Sequence, residues 1–143
     1  MEQLLEIYNQ VNQFGTDNDM KLSIIKPGEI TYKMDVVEKH LATPKTIHGG
    51  MIAAMMDGLL GVAALSLVAS TGRLVSTIEF KINYFKPAFL GDTLTGKGRV
   101  DNAGKRIISS SGEIYNQKGD MIAKAMGTFN AYPIEKSDVS KHI

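Results

Sequence analysis

The feature that most constrains the fold is an apolar helical run from residue 49 to 69, which contains a single carboxylate, Asp57. His48-Gly49-Gly50 opens the run and Ser70-Thr71-Gly72 stops it. Burying an ionised carboxylate costs several kcal/mol unless the group is paired, hydrogen-bonded or open to a cleft. The run therefore predicts a core helix whose acid is either solvated by a specific partner or held ready for chemistry.

Residues 51–69 also have the length and apolar content of a candidate membrane span. Asp57 near the middle opposes this interpretation, since a central aspartate costs about 2.5–3.5 kcal/mol on insertion scales. Glycines at 49, 50, 58 and 61 oppose it too, and amphipathic strand patterns follow the run directly. We therefore expect the central helix of a soluble sheet protein and no membrane partner.

The size and composition of the chain are those of one soluble domain. The 143 residues are enough for a single core, and 43% are hydrophobic and 22% charged. A net charge of +1 without a basic block does not suggest nucleic-acid binding. The absence of cysteine excludes disulfides and thiolate metal sites and fits a reducing compartment. The first 20 residues are unlike a secretory signal, so we expect a cytoplasmic location.

Hydrophobic periodicity predicts a short amphipathic helix followed by strands and the central helix. The helix covers residues 2–14, with Leu4, Leu5, Tyr8 and Val11 on its apolar face, and ends at Gly15-Thr16-Asp17. Strands are predicted over residues 22–25, 29–36, 77–84, 93–100, 106–115 and 121–132, with hairpin signals at Asn102-Ala103-Gly104 and Lys118-Gly119-Asp120. In residues 77–84, the alternation places Ile78, Phe80, Ile82 and Tyr84 on the apolar face and Thr77 on the polar face.

These elements predict an α+β fold in which a strongly curved antiparallel sheet wraps around one buried helix. That arrangement explains why the helix is apolar all round whereas each strand has only one apolar face. We expect a single domain over residues 1–143, with its core at about 20–132 and a frayed tail at 134–143.

The same residues resemble the hotdog-fold acyl-CoA thioesterases of the phenylacetate-pathway (PaaI-like) type. The resemblance rests on Ile47-His48-Gly49-Gly50, on the acid nine residues after the histidine, and on the strand from Ser76 to Tyr84. Lys86-Pro87-Ala88 and Gly91-Asp92-Thr93-Leu94 also match, and the likeness covers roughly residues 20–132. It implies a hotdog domain that hydrolyses an acyl-CoA thioester to free acid and coenzyme A, without a metal or redox cofactor.

The resemblance also implies roles for individual residues. Backbone N–H groups at a helix start can polarise a carbonyl, and the resemblance assigns this to Gly49, with His48 orienting the site. It makes Asp57 the general base for water or the nucleophile, and Thr77 an aid in placing water or carboxylate. Further candidate substrate-binding residues are Gly50, Met56 along an acyl tunnel, and Lys105 and Arg106 near the phosphates of coenzyme A.

Each candidate also has an ordinary structural interpretation, which the sequence leaves open. His48 could be a helix cap, the glycines a helix entry, the methionines core packing and the basic residues solvated charges. His40 and His142 lack metal-ligand spacing with any acidic cluster, so no metal site is predicted.

Helix geometry suggests that the site is shared between two copies of the chain. Asp57 lies seven residues after Gly50, which is about 10 Å along a helix. That separation is too large for the acid to attack a carbonyl held at its own helix start. An antiparallel second helix across a two-fold axis would bring the two groups together, and the resemblance implies such shared sites. We therefore predict an obligate homodimer, paired into a tetramer.

Ala42 departs from the pattern of the family. The family usually carries an asparagine or glutamine six residues before the histidine, where its side chain binds the thioester carbonyl or the water. Losing one oxyanion donor costs on the order of a hundredfold in rate, although His40 or Thr43 could compensate. A non-catalytic acyl-CoA-binding protein therefore stays open as an alternative, which Ala42 favours and the retained Asp57 disfavours.

Overall fold

The computed structural model describes residues 2–138, and the side chains of residues 6–138. The described chain contains three α-helices, six strands and three short 3-10 turns. The helices are α1 (Glu2–Val11), α2 (Gln13–Asp17) and α3 (Gly49–Val68); the strands are β1 (Lys21–Lys26), β2 (Glu29–Asp35), β3 (Arg73–Tyr84), β4 (Thr93–Ala103), β5 (Ile107–Tyr115) and β6 (Met121–Pro133); the turns are Glu38–His40, Ala69–Thr71 and Ile134–Lys136.

The six strands form one antiparallel sheet in the order β1-β2-β4-β5-β6-β3. Helix α3 packs across this sheet and contacts β2 through β6. The predicted hotdog architecture is therefore confirmed. Because β1 and β3 are the outermost strands, each has one edge that pairs with no other strand of residues 2–138.

Glycines in β4 let α3 approach the sheet closely. A Cβ at Gly98 would lie 2.5 Å from the Leu59 carbonyl oxygen, and one at Gly96 would lie 2.4 Å from Leu59 Cδ1. A larger residue at Gly98 would require a shift of the helix backbone, and one at Gly96 would require the Leu59 side chain to move. The segment Gly49–Thr71 is long and apolar enough to cross a membrane, yet 61% of its apolar window is buried inside the fold. Its packing is that of a core helix.

The predicted end of α3 is confirmed, and the buried hydroxyl in its last turns is hydrogen-bonded. The helix ends at Val68, after which Gly72 adopts a φ of 72°, in the left-handed region that favours glycine. The buried hydroxyl of Ser66 donates to the Ala63 carbonyl at 2.8 Å and accepts from the Gly28 N–H at 2.8 Å. This serine therefore joins α3 to the β1–β2 turn without leaving a polar atom unpaired.

A β-bulge in β3 overturns the predicted alternation of residues 77–84. Thr77 pairs with Phe129 and Glu79 pairs with Thr128, so Ile78 is an extra residue between them. Ile78 is 53% exposed, whereas Phe80 and Ile82 pack against the core as predicted. The extra residue turns Thr77, predicted for the polar face, toward α3.

Two predictions at the chain ends are also wrong in part. The N-terminal helix is divided at Asn12. The Oδ1 of this residue accepts from the Gly15 N–H at 3.1 Å, so Asn12 is the N-cap of α2. Helical structure therefore continues to Asp17, beyond the predicted helix over residues 2–14. At the other end, Ile134 is 7% exposed and packs with Leu65 and Leu74, whereas Glu135 and Lys136 after it are exposed. Residues 139–143 lie outside the described residues.

Candidate active site

Asp57 lies on a face of α3 that the sheet leaves uncovered. This face carries mostly small residues, which are exposed or half-buried: Gly50, Ala53, Ala54, Gly58 and Gly61. Asp57 is itself half-buried, and Thr77 Oγ1 on β3 donates a hydrogen bond to its Oδ1 at 2.7 Å. The prediction of a helix buried all round is therefore wrong. The acid is partnered by a hydroxyl and remains accessible to a ligand.

A cavity of about 360 Å³ opens beside Asp57. One end of it is polar, with Asp57 and Thr77, and most of its remaining wall is apolar. The other lining residues come from α1 and Asn12, α3, β3 and β6: Tyr8, Val11, Asn12, Gly58, Gly61, Val62, Leu65, Leu74, Val75, Phe129 and Tyr132. A concave apolar site with a few polar groups at one end is the usual form of a small-molecule pocket.

Two tyrosines near this cavity are held in their neutral form. Burial raises the pKa of Tyr8, and the negative charge of Asp57 raises it further. Burial, followed by the effect of Tyr8, raises the pKa of Tyr32. A tyrosine is already neutral at pH 7, and the raised pKa values keep both hydroxyls as hydrogen-bond donors into more alkaline solution. The sequence indicated Tyr8 only as a packing residue of the first helix.

At the start of α3, one backbone N–H group is hydrogen-bonded within the protein and the other is free. His48 is the N-cap, and its Nδ1 accepts from the Gly50 N–H at 2.7 Å. A Cβ at Gly50 would lie 2.8 Å from that Nδ1, so the cap requires a glycine there. The Gly49 N–H has no acceptor among residues 2–138 and is exposed. Gly49, not Gly50, is therefore the donor available to a ligand.

Tyr84 is a site residue that the sequence did not reveal. Its hydroxyl donates to the Gly49 carbonyl at 2.8 Å, from the last residue of β3. A second cavity of about 300 Å³ lies here, lined by Gly49 and Tyr84 together with Ile47, Ile52, Phe85, Lys86, Pro87, Ala88 and Ile122. Thr77 and Tyr84 are seven residues apart, an odd spacing, and both reach α3 because of the bulge at Ile78. The sequence signal that could have indicated Tyr84 was the presence of a threonine and a tyrosine at the two ends of the predicted strand, residues 77–84.

Four of the predicted binding residues do not line either cavity. Met56 is 0% exposed and belongs to the hydrophobic core. Ala42 is exposed on the loop before α3, where its N–H donates to the Thr46 carbonyl at 2.9 Å. Lys105 and Arg106 are exposed at the β4–β5 turn. Their binding roles stay predictions.

The two residues considered as replacements for the missing amide are engaged elsewhere. His40 is 1% exposed, and its Nδ1 accepts from the Val37 N–H at 3.1 Å. Thr43 Oγ1 accepts from the Thr46 N–H at 3.0 Å. These bonds occupy His40 Nδ1 and one lone pair of Thr43 Oγ1; His40 Nε2 is buried without a partner among residues 6–138, and the exposed Thr43 hydroxyl still has its proton to donate. Residues 2–138 also contain no group of three or more histidines and carboxylates placed to hold a metal ion.

Comparison with known proteins places the chain in a family. The model of the thioesterase superfamily matches residues 44–123. Acyl-coenzyme A thioesterase 13 of Homo sapiens is 29% identical over 103 residues, which cover 71% of this chain and 72% of that protein. The family match contains α3 with Asp57 and the strands β3, β4 and β5.

Solved structures agree with the fold described above. The E. coli PaaI protein from the phenylacetic acid degradation operon superposes with a TM-score of 0.80 at 22% identity, over 91% of each chain. A hypothetical thioesterase protein of Streptococcus pneumoniae, solved with coenzyme A, superposes with a TM-score of 0.70 at 26% identity, over 80% of this chain and 86% of that one. That protein has also been solved with an aspartate and, separately, a threonine replaced by alanine. The chain therefore belongs to the thioesterase superfamily and is a thioester hydrolase with the hotdog fold.

Proposed function

We propose that the protein hydrolyses an acyl-CoA thioester to the free acid and coenzyme A. The observation that carries this proposal is the Asp57 carboxylate, oriented by Thr77 at the polar end of an apolar cavity. The acyl-CoA activity in the name of the human relative and the coenzyme A in the S. pneumoniae structure support this choice of thioester.

Asp57 acts in this mechanism as the general base. Thr77 donates to Oδ1, which leaves Oδ2 to accept a proton from water. The water oxygen bonds to the acyl carbon, the carbon–sulfur bond breaks, and the proton taken by Asp57 passes to the leaving thiolate. Direct attack by the carboxylate would instead release the thiolate and give an Asp57–acyl anhydride. In a single turnover in ¹⁸O-water, the general-base route labels only the product acid, whereas label in Asp57 would show that an anhydride formed and was hydrolysed at the Asp57 carbonyl carbon.

The Gly49 N–H serves as the donor that stabilises the oxyanion. Gly49 and Asp57 are eight residues apart on one helix, which corresponds to about 12 Å. One protomer therefore cannot bring both groups to the same carbonyl. We assign the donor at each site to Gly49 of the partner subunit in a homodimer.

Two exposed surfaces support this dimer. The outer edge of the 12-residue strand β3 is unpaired within residues 2–138, and Ile78 and Tyr84 along it are 53% and 50% exposed. Long exposed edge strands with apolar residues are suited to pairing with another chain. Pairing across a two-fold axis would set the uncovered faces of two α3 helices together in antiparallel directions. Further association of two dimers into a tetramer is part of the same proposal. Sedimentation velocity distinguishes the monomer, the dimer and the tetramer.

A non-catalytic acyl-CoA-binding protein is the second candidate. Ala42 favours it, because an alanine side chain has no donor in place of the amide. Both candidates bind acyl-CoA, and only the first produces free thiol. Ala42→Asn raises turnover under the first candidate if that position faces the carbonyl of the bound substrate.

A thiol-release assay over acetyl-, hexanoyl-, octanoyl- and phenylacetyl-CoA tests the proposal. Asp57→Asn is expected to lower kcat by about 10²–10⁴-fold, the usual contribution of a general base. Asp35→Asn is the matched control, since Asp35 Oδ1 accepts from Thr93 Oγ1 at 2.8 Å in an exposed pair of the same chemistry. Absence of turnover with every thioester, together with tight acyl-CoA binding, would favour the second candidate.

A further inference from the structure

The cavity beside Asp57 has one wall that does not belong to the hotdog core. Tyr8 and Val11 of α1, together with Asn12, close a side that α3, β3 and β6 leave open. Tyr8 packs against both hydrophobic clusters of the protein, so α1 is seated on the body of the domain. Val11 is 37% exposed and therefore lies where the cavity meets solvent.

The other walls leave room for a substantial acyl group. Gly58 and Gly61 contribute no side chains on the α3 side, and a Cβ at Gly58 would meet nothing closer than Tyr32 at 3.7 Å. An apolar cavity of about 150 Å³ holds a benzene molecule. A volume of about 360 Å³ is therefore sufficient for a medium-length chain or an arylalkanoyl group. An acetyl group would leave most of it empty.

The direction of the cavity relative to the acid agrees with this use. Asp57 and Thr77 form its polar end, and Val62, Leu65, Leu74 and Phe129 form apolar walls. A thioester whose carbonyl carbon is within reach of Asp57 would extend its acyl group along those walls. The Tyr8 hydroxyl is close enough to Asp57 for that charge to raise the pKa of the tyrosine, so α1 flanks the polar end as well.

We propose that this cavity is the acyl-binding pocket and that Tyr8 and Val11 determine which acyl groups the enzyme accepts. The proposal rests on the proposed function and goes beyond it by naming a medium-length or arylalkanoyl substrate class. It also assigns acyl selection to the N-terminal helix. The sheet and α3 cannot change the pocket without changing the core, whereas α1 can.

The test compares acyl-chain profiles of variants on α1. Wild type is expected to gain about fourfold in kcat/KM per methylene until the cavity is filled, as the burial of one methylene predicts. Val11→Phe narrows the cavity and should lower kcat/KM at least tenfold for octanoyl- and phenylacetyl-CoA, while acetyl- and butanoyl-CoA change less than twofold. Tyr8→Ala should shift the preferred chain to longer acyl groups.

Val37→Phe is the matched control, because Val37 is also 37% exposed and does not line the cavity. If Val11→Phe and Val37→Phe give the same profile as wild type while Asp57→Asn is inactive, the pocket assignment is wrong and the hydrolase stands. If no thioester is hydrolysed, calorimetric measurement of octanoyl-CoA binding tests the pocket assignment independently of the hydrolase activity. Weaker binding to Val11→Phe than to Val37→Phe supports the pocket, and equal binding overturns it. Thermal unfolding of each variant identifies any that fail to fold.

Discussion

The two ends of the candidate site are built in different ways. At the start of α3, His48 and Gly50 bond to each other within one turn, and this leaves the Gly49 N–H free. At Asp57, the acid depends on Thr77 twenty residues away and on a cavity wall contributed by α1. The donor end is thus fixed by local backbone geometry, and the acid end is fixed by tertiary packing. Substitutions at the donor end and at the acid end should therefore be distinguished by different measurements.

Subunit complementation gives the largest expected effect and tests whether the two ends belong to different protomers. Asp57→Asn, which removes the base, and Gly49→Pro, which removes the N–H donor at a first helical position where proline is tolerated, should each be nearly inactive alone. In a co-refolded mixture, half of the dimers pair the two variants, and each such dimer has one intact site. Activity should then recover to about a quarter of wild type if the sites are shared across a two-fold axis. No recovery, with mixed dimers detected by mass spectrometry, would place both ends in one protomer.

Thr77 should show the dependence of the acid end on tertiary packing. Thr77→Ala removes the hydroxyl that holds Asp57 Oδ1, and we expect kcat to fall about tenfold or more, consistent with the loss of one oriented hydrogen bond to a charged group. Thr77→Ser keeps the hydroxyl and should restore most of kcat. Thr93→Ala removes the hydroxyl of the comparable pair with Asp35 and should leave kcat unchanged. Equal kcat in all three variants would remove Thr77 from the mechanism.

The same contrast explains which parts of the molecule could be predicted from the sequence. The bounds of α3, the free donor at Gly49 and the exceptional position of Asp57 depend on residues next to one another in the chain. The bulge at Ile78 depends on how β3 pairs with Phe129 and Thr128 of β6, so strict alternation was the wrong expectation.

The cavity wall formed by α1 could not be predicted from the sequence either. Tyr8 reads as an ordinary position on an amphipathic helix, and only the docking of α1 brings it beside Asp57. Tyr84 reads as the last apolar residue of its strand, and its bond to Gly49 depends on the bulge. Non-local contacts therefore account for most of what the sequence did not reveal.

His48 should separate capping from catalysis at the donor end. His48→Ala removes the acceptor for the Gly50 N–H, and loss of an N-cap costs about 0.5–2 kcal/mol of stability. Asparagine is a strong N-cap residue, so His48→Asn should recover the free energy of unfolding measured in urea. If kcat recovers with it, the histidine acts by positioning the Gly49 N–H. If stability recovers and kcat does not, the imidazole itself contacts the substrate.

The pH dependence of stability should give the smallest effect, again at the donor end. Burial lowers the pKa of His40 below 6.5, and the charge of Lys39 lowers it further, against the opposing effects of Asp19 and the Asn18 carbonyl. The unfolded chain therefore binds the proton more readily, so stability is complete above pH 6.5 and falls from there toward the lowered folded pKa. One proton limits the slope to about 1.4 kcal/mol per pH unit. The His40 carbonyl accepts from the His48 N–H at 2.8 Å, which connects this residue to the start of α3. His40→Asn keeps an acceptor for Val37 and should flatten the urea-unfolding midpoint between pH 7.5 and 5.5, whereas an unchanged slope would assign the titration to another group.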